Sequence, residues 1–188
     1  MKKKRLVVGI SGASGVRYGI RLLEILADRL DVETHVVVSR AAGLVIAREA
    51  AKTVEEIEAL ADVAYRPDDL AAPISSGSFA TDGMVIAPCS IKTLSAVAHS
   101  YAANLVRRAA DVTLKERRPL VLMVRETPLH LGHLRLMAQA TEIGATILPP
   151  VPAFYGHPHT IDDLVDETLG RVLSHLSVEN DLFTRWEG

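Results

Sequence analysis

The chain has 188 residues, 48% of them hydrophobic, and its 21 Lys and Arg against 23 Asp and Glu leave a net charge of -2. This length and apolar content are typical of one domain with a sizeable core, so we expect a single domain over residues 1–188. The low net charge and the 4% aromatic content argue against a nucleic-acid binder, which needs cations for phosphates and rings for base stacking.

Cysteine usage and hydropathy indicate a cytoplasmic protein. The single cysteine, Cys89, excludes an intramolecular disulfide and a Cys-rich metal cluster, and it suits a reducing compartment. No apolar run approaches the roughly 18 residues that a membrane span needs, so we expect no membrane span. The basic start of the chain precedes too short an apolar run to be a secretory signal.

Apolar strand-like runs alternate with helical patterns along the whole chain, which predicts an α/β fold with a mostly parallel sheet covered on both faces. The segment Arg66–Thr81 has no clear period, and we expect a functional loop or short unrecognised structure there. The predicted strands cover 5–10, 34–38, 84–87, 120–124 and 145–148, and the predicted helices cover 18–30, 40–52, a turn from 53, a helix from 91, and 102–117, 131–143 and 160–176.

A glycine loop follows the first predicted strand. Gly9, Gly12 and Gly15 allow close backbone approach, and the helix after them directs free N–H groups at an anion, which indicates a phosphate cradle. A tight turn that serves packing alone is the alternative. The spacing G-x-x-G-x-x-G departs from the dinucleotide pattern G-x-G-x-x-G, and Ser39-Arg40 after the second strand lacks the acid that holds an NAD ribose. An NADP enzyme remains possible, because Ser and Arg suit a 2′-phosphate.

A second small polar turn, Pro88–Thr93, follows another strand. Ser90 and Thr93 are spaced so that one caps a helix and both offer hydroxyls to a ligand, although capping alone would also explain them. Two such turns at the carboxyl ends of strands favour a mononucleotide such as FMN. Cys89 has no identifiable base beside it, so we do not assign it as a nucleophile. The two histidine pairs, at 130 and 133 and at 157 and 159, lack a third ligand, so we expect no metal site.

The stretch Asn104–Pro128 combines an amphipathic helix with a short apolar strand. Asn104, Arg108, Asp111 and Lys115 recur at helical spacing and share one face. Glu126 follows the strand at the sheet edge where ligands of open α/β folds bind, so the stretch predicts an anionic substrate and proton transfer. A solvated face of ion pairs is the alternative for the helix.

Several motifs together resemble one family over nearly the whole chain. They are GISGASG, SRAA, SSGSF, APCSIKTLSAVA, NLVRRAADVTLKERRPLVLMVRETPLHLGHLRLM, PPVPAFY and a terminal RW, and together they resemble the UbiX flavin prenyltransferases, formerly described as aromatic acid decarboxylases. The resemblance implies a Rossmann-like three-layer α/β/α fold. It also implies a metal-free reaction in which dimethylallyl phosphate and reduced FMN form prenylated FMN through new bonds at flavin N5 and C6.

The resemblance also assigns residues. It implies FMN contacts at Gly12, Ala13, Ser14, Ser39, Ser90, Ile91, Lys92, Thr93 and Arg125. Contacts to the allylic phosphate fall on Arg108, Lys115, Tyr155 and Arg171, and Glu126 is the acid or base, with Ser14, Tyr155 and Lys115 also counted as catalytic. Glu49 is a further pocket residue, and Trp186 is placed to stabilise an allyl cation by cation–π attraction.

The resemblance further implies a homo-oligomer, a dodecamer, in which Arg108, Arg171 or Trp186 serve a neighbour's site. The product would pass to a decarboxylase of the UbiD type, as in ubiquinone synthesis. An FMN- or NADP-dependent oxidoreductase, a flavin carrier without enzymatic activity and a direct aromatic acid decarboxylase remain the alternatives.

Overall fold

The computed structural model describes residues 3–185. Six strands form one sheet in the order β3-β2-β1-β4-β5-β6, and every neighbouring pair is parallel. This confirms the predicted Rossmann-like fold, and the strand order reverses direction between β1 and β4. The strands are β1 (Lys4–Ile10), β2 (Val32–Val38), β3 (Val63–Tyr65), β4 (Gly83–Cys89), β5 (Leu120–Val124) and β6 (Thr146–Ile147).

Seven α-helices are formed within residues 3–185. They are α1 (Val16–Ala27), α2 (Arg40–Glu49), α3 (Val54–Glu58), α4 (Ile91–Ala98), α5 (Leu105–Lys115), α6 (Leu131–Glu142) and α7 (Ile161–His175), and a short 3₁₀ helix covers Pro73–Ser75. None of the helices in the described range is long and apolar enough to cross a membrane.

The sheet separates two cores. Along β1, the side chains of Leu6, Val8 and Ile10 point to one face, where they pack with α1, α2, α3 and α7, and Val7 points to the other, where it packs with α4, α5 and α6. This alternation is a consequence of the two-residue period of a strand. The helices α5 and α7 therefore lie on opposite faces of the sheet.

Several elements differ from the prediction. The helix α1 ends at Ala27, and Leu30, which the apolar pattern included, is 87% exposed in the following turn. The helix α5 begins at Leu105, and Asn104 caps it by accepting from the N–H of Arg107 at 3.1 Å, so Asn104 is not an interior helical residue. The strand β3 was not predicted, because three residues at a sheet edge carry too weak a period.

Candidate active site

Two loops meet where the sheet reverses its strand order, after β1 and after β4. Ser11, which is 1% exposed, connects them: its hydroxyl donates to the Pro88 carbonyl at 2.9 Å and accepts from the Ser90 N–H at 2.8 Å. The Ser11 N–H also donates to the Pro88 carbonyl, at 3.2 Å. Sequence reasoning missed Ser11, because nothing local indicates that a serine in one turn will bind the backbone of a turn about 80 residues away.

Gly12 allows the first loop to approach α2 closely. A Cβ on Gly12 would lie 2.5 Å from the Cβ of Ala41 and 2.9 Å from its carbonyl carbon, distances that no real side chain tolerates. The predicted need for glycine at this turn therefore has a packing cause: the loop backbone rests directly on the first turn of the neighbouring helix.

An open cleft of about 510 Å³ lies beside these loops, a volume typical of small-molecule sites. The N-termini of α2, α4 and α5 converge on it, and each adds the partial positive charge of a helix N-terminus to the cleft. The residues that line it are Gly12, Ser39, Arg40, Ala41, Pro67, Asp68, Ser90, Lys92, Thr93, Ala103, Asn104, Val106 and Arg107. The cleft suits the phosphate and polar chain of a mononucleotide.

Ser39 and Ser90, two residues of this cleft, cap helices, and a cap was predicted for the turn that contains Ser90. Ser39 accepts from the N–H of Ala42 at 3.1 Å, and Ser90 accepts from the N–H of Thr93 at 3.3 Å while its own hydroxyl donates to the Thr93 hydroxyl at 3.1 Å. Capping and ligand binding are compatible here, because each serine both caps a helix and lines the cleft at the N-terminus of that helix. Arg40, considered for a 2′-phosphate, pairs with Asp68 at 3.2 Å.

Arg107 is a second residue that sequence reasoning missed. It lines the cleft, and its Nε atom is buried with no hydrogen-bond partner among residues 3–185. A buried guanidinium nitrogen without a partner costs free energy, which a bound anion would recover. Its neighbour Arg108, which the family resemblance assigned to the allylic phosphate, does not line the cleft.

The N-terminus of α1 holds an anion that belongs to the chain itself. A carboxylate oxygen of Glu49 accepts from the Gly15 N–H at 2.8 Å, and Gly15 adopts a left-handed conformation with φ of 92° to make this turn. Burial alone would raise the pKa of Glu49, but hydrogen bonds from the Ser14 hydroxyl and from the N–H groups of Gly15 and Val16, with the nearby charge of Arg125, leave its pKa lowered. Ser14, Glu49 and Arg125 therefore form one cluster.

Arg125 and Glu126 follow β5 at the same edge of the sheet. The Arg125 N–H donates to the Cys89 carbonyl at 3.0 Å, which places Arg125 beside the second loop. Glu126 is exposed, and its carboxylate accepts from the Thr127 N–H at 3.1 Å. Cys89 is completely buried, and burial raises the pKa of its thiol to about 12, which is consistent with a packing role.

Tyr155 and Arg171 line a separate cavity of about 310 Å³. Arg171 extends from α7 and its guanidinium lies 5.6 Å from the centre of the Phe183 ring. The cavity is lined by Leu148, Pro149, Val151, Ala153, Tyr155, Glu167, Thr168, Arg171 and His175. A hydroxyl and a guanidinium in one cavity are suitable donors for a phosphate.

Arg108 and Lys115 lie elsewhere. Arg108 donates to the Ser75 carbonyl at 3.0 Å and forms an i, i+3 ion pair with Asp111 at 2.9 Å, the kind of pair that the alternative interpretation of this helix face expects. Lys115 pairs with Glu116 beside Gly77. Both cations belong to α5, on the sheet face opposite α7, so a single chain does not bring them to Tyr155 and Arg171.

Two further expectations concern Trp186 and metal binding. Trp186 lies outside the described residues. Within residues 3–185, no group of three or more His, Cys, Asp or Glu side chains is arranged to hold a metal ion. His130 caps α6 by accepting from the Gly132 N–H at 3.0 Å, and its ring centre lies 3.6 Å from that of His133.

Comparison with known proteins places this geometry among flavoproteins. The family model described as Flavoprotein matches residues 1–173. The chain is 61% identical to flavin prenyltransferase UbiX of Escherichia coli K12, over 98% of this chain and 99% of that protein. It is 57% identical to flavin prenyltransferase UbiX of Thauera aromatica, over 98% of this chain and 94% of that protein.

Solved structures agree with this similarity. The crystal structure of AnUbiX (PadA1) in complex with FMN and dimethylallyl pyrophosphate superposes with a TM-score of 0.96 at 47% identity, covering 100% of this chain and 99% of that chain. A dodecameric FMN-dependent UbiX-like decarboxylase from Escherichia coli O157:H7 superposes with a TM-score of 0.94 at 47% identity, covering 98% of this chain and 100% of that chain.

Proposed function

Because this chain belongs to the UbiX flavin prenyltransferases of the Flavoprotein family, we propose that it transfers the dimethylallyl group of dimethylallyl phosphate to reduced FMN. The observation that carries this proposal is the coexistence of two anion sites: a cleft at the strand-order reversal, and a separate cavity with Tyr155 and Arg171. A flavin carrier would need only the first. The reaction breaks the allylic C–O bond, releases phosphate and forms bonds at flavin N5 and C6.

The cleft supports the proposed FMN site. Among the residues assigned to FMN, Gly12, Ser39, Ser90, Lys92 and Thr93 line it directly. Ala13, Ser14 and Ile91 are adjacent to them in the chain, and Arg125 is held beside the Ser90 loop. Reduced FMN would supply an electron-rich ring system as the prenyl acceptor, and the chain's own residues would orient it and exclude water.

The proposed phosphate site draws on more than one subunit. Arg108 and Lys115 belong to α5, and Arg171, which shares a cavity with Tyr155, belongs to α7 on the opposite face of the sheet, so we infer that the two pairs reach one phosphate from different chains. Val151 and Phe154, close to Tyr155 in the chain, are 71% and 67% exposed, which gives this loop an apolar surface that another subunit could cover. We therefore place the active site at subunit interfaces of a homo-oligomer, a dodecamer.

The roles of the residues that donate hydrogen bonds to the phosphate follow from the negative charge that develops on this leaving group. Ionisation of the C–O bond leaves a phosphate dianion, and preorganised guanidinium, ammonium and phenol groups stabilise it as it forms. Glu126 exchanges protons with the reacting flavin and prenyl group, while Glu49 orients the Ser14 hydroxyl beside them. Trp186 keeps its proposed role of stabilising the allyl cation.

The product, prenylated FMN, would serve a decarboxylase of the UbiD type, as in ubiquinone synthesis. We propose a cytoplasmic location for the chain, because its one cysteine is compatible with a reducing compartment. Localisation by cell fractionation, with detection of the chain in the cytosolic fraction, would test the placement.

The function is tested by mixing the purified protein with reduced FMN and dimethylallyl phosphate under anaerobic conditions. We expect a flavin heavier than FMN by one isoprene unit, together with one equivalent of inorganic phosphate. Phosphate release without a heavier flavin would contradict prenyl transfer. Carbon dioxide release from an aromatic acid by the protein alone would instead support a direct decarboxylase, and NADPH oxidation would support an oxidoreductase.

Arg107 provides a test of the FMN cleft. We expect Arg107→Met to weaken FMN binding by about tenfold, because a charge-assisted hydrogen bond to the phosphate is lost while the aliphatic packing is kept. The measurement is the dissociation constant from quenching of flavin fluorescence. Arg135→Met, at an exposed position of α6, is the matched control. Equal FMN affinity in the two variants would remove Arg107 from the cleft's binding residues.

A further inference from the structure

A buried carboxylate without a hydrogen-bond partner in the described chain, that of Glu167, lines two cavities, one of which is the proposed phosphate site. Glu167 is 8% exposed, and its Oε1 atom is buried with no hydrogen-bond partner among residues 3–185. It lines the cavity that contains Tyr155 and Arg171, and it also lines the adjacent cavity that contains Gly156 and Asp166. Burial of a carboxylate oxygen without a donor is costly, so the position calls for an explanation.

Neighbouring carboxylates on α7 are all satisfied. Asp166 binds Arg21 through two bonds of 2.7 Å, and Asp163 accepts from the N–H groups of His159 and Thr160 at 2.8 and 2.9 Å. Their charges are therefore compensated by the fold. Glu167 is the exception among the carboxylates lining these two cavities in the described chain.

Arg171 is the obvious partner for Glu167, because the two are four residues apart on α7 with the acid first, which is the favourable order. Arg171 and Glu167 do not form this ion pair in the structure, because the guanidinium of Arg171 lies over the Phe183 ring instead. Glu167 is directed at the chain beside Tyr155, since a Cβ on Gly156 would lie 3.6 Å from its Oε1 atom. The carboxylate thus lines the same cavity as the two proposed phosphate donors and forms no ion pair with Arg171.

We propose that Glu167 is a specificity-determining residue that makes the site select an allylic monophosphate over an allylic diphosphate. This proposal rests on the proposed function. Tyr155 and Arg171 are the donors to the phosphate group that this cavity itself contributes, and a second phosphate group would bring further negative charge to a cavity that is also lined by the unpartnered Glu167 carboxylate. Repulsion between like charges in a partly desolvated cavity is strong enough to decide between two ligands.

The test uses Glu167→Gln, which removes the charge and keeps the size. For the FMN-loaded protein, titration calorimetry gives the affinities for inorganic phosphate and for pyrophosphate, and prenyl transfer gives kcat/KM with dimethylallyl phosphate and with dimethylallyl diphosphate. We expect both diphosphate-to-monophosphate ratios to rise on the order of tenfold in Glu167→Gln. Glu167→Asp, which keeps the charge, should retain the wild-type ratio, and Glu142→Gln, an exposed site on α6, is the control.

An unchanged ratio in Glu167→Gln would overturn the proposal. An equal loss with both anions would also overturn it, because it would make Glu167 a residue that only supports the fold or positions Arg171. If the wild-type protein binds both anions but transfers no prenyl group, the proposed function fails while the binding ratio still tests Glu167. If neither anion binds, the cavity is not an anion site and the proposal fails.

Discussion

Lys115→Gln is expected to slow prenyl transfer by about 100-fold or more while FMN binding stays unchanged, because one preorganised cation is lost where the leaving phosphate gains charge. FMN binding should be spared, since Lys115 does not line the cleft in the described chain. Single-turnover formation of prenylated flavin gives the rate, and flavin fluorescence gives the affinity. Lys52→Gln is the matched control, at an exposed lysine away from the cleft. Wild-type turnover at saturating dimethylallyl phosphate would remove Lys115 from the mechanism.

The same variant tests whether active sites are shared between subunits. The two sheet faces carry Lys115 and Arg171 separately, so a site that uses both residues takes them from two chains. Chains with Lys115→Gln and chains with Arg171→Gln should each be inactive alone. In oligomers assembled from equal amounts of the two variants, about one quarter of the shared sites should combine an intact Lys115 from one chain with an intact Arg171 from the other, and these sites should be active. No recovery in verified mixed oligomers would show that each chain uses its own pair.

Glu126→Gln is expected to stop the reaction after the first bond, with closure of the fourth ring slowed by about 100-fold or more. Two new bonds to one prenyl group consume its double bond, so one alkene carbon gains a proton while flavin C6 loses one. The amide of Gln cannot exchange that proton. Glu126 is exposed at the end of β5, and within residues 3–185 its carboxylate accepts a hydrogen bond only from the adjacent Thr127 N–H, so it is available to a ligand.

The singly bonded flavin and the finished product have the same mass, so chromatographic retention and the absorption spectrum must distinguish them. Accumulation of the singly bonded species in Glu126→Gln, and its absence in the exposed-site control Glu179→Gln, would support the proton-transfer role. Ring closure at the wild-type rate in Glu126→Gln would rule that role out and leave the released phosphate as the remaining base.

Local interactions explain why much of the fold was predictable. Thr53 and Thr160 begin helices with capping boxes to Glu56 and Asp163, three residues ahead, and both starts were read from the sequence. The apolar run Leu120–Val124 is a strand with the predicted bounds, because a run of five apolar residues after Pro119 suits a strand that is covered on both faces of a parallel sheet. Hydrophobic periodicity, helix caps and apolar runs all depend on residues that are close together in the sequence, so the sequence alone reveals them.

The sequence by itself therefore determined the layered α/β class, the turns that carry the site, and, through the motifs of its family, the residues that belong to it. Only the tertiary structure decided how those residues combine. It joined the two loops through Ser11, placed Glu49 at the start of α1, exposed Arg107 to the cleft, and left Glu167 buried without a partner. It also put Lys115 and Arg171 on opposite faces of the sheet. Each of these relations joins parts of the chain that meet only when the sheet assembles, so no local pattern encodes them.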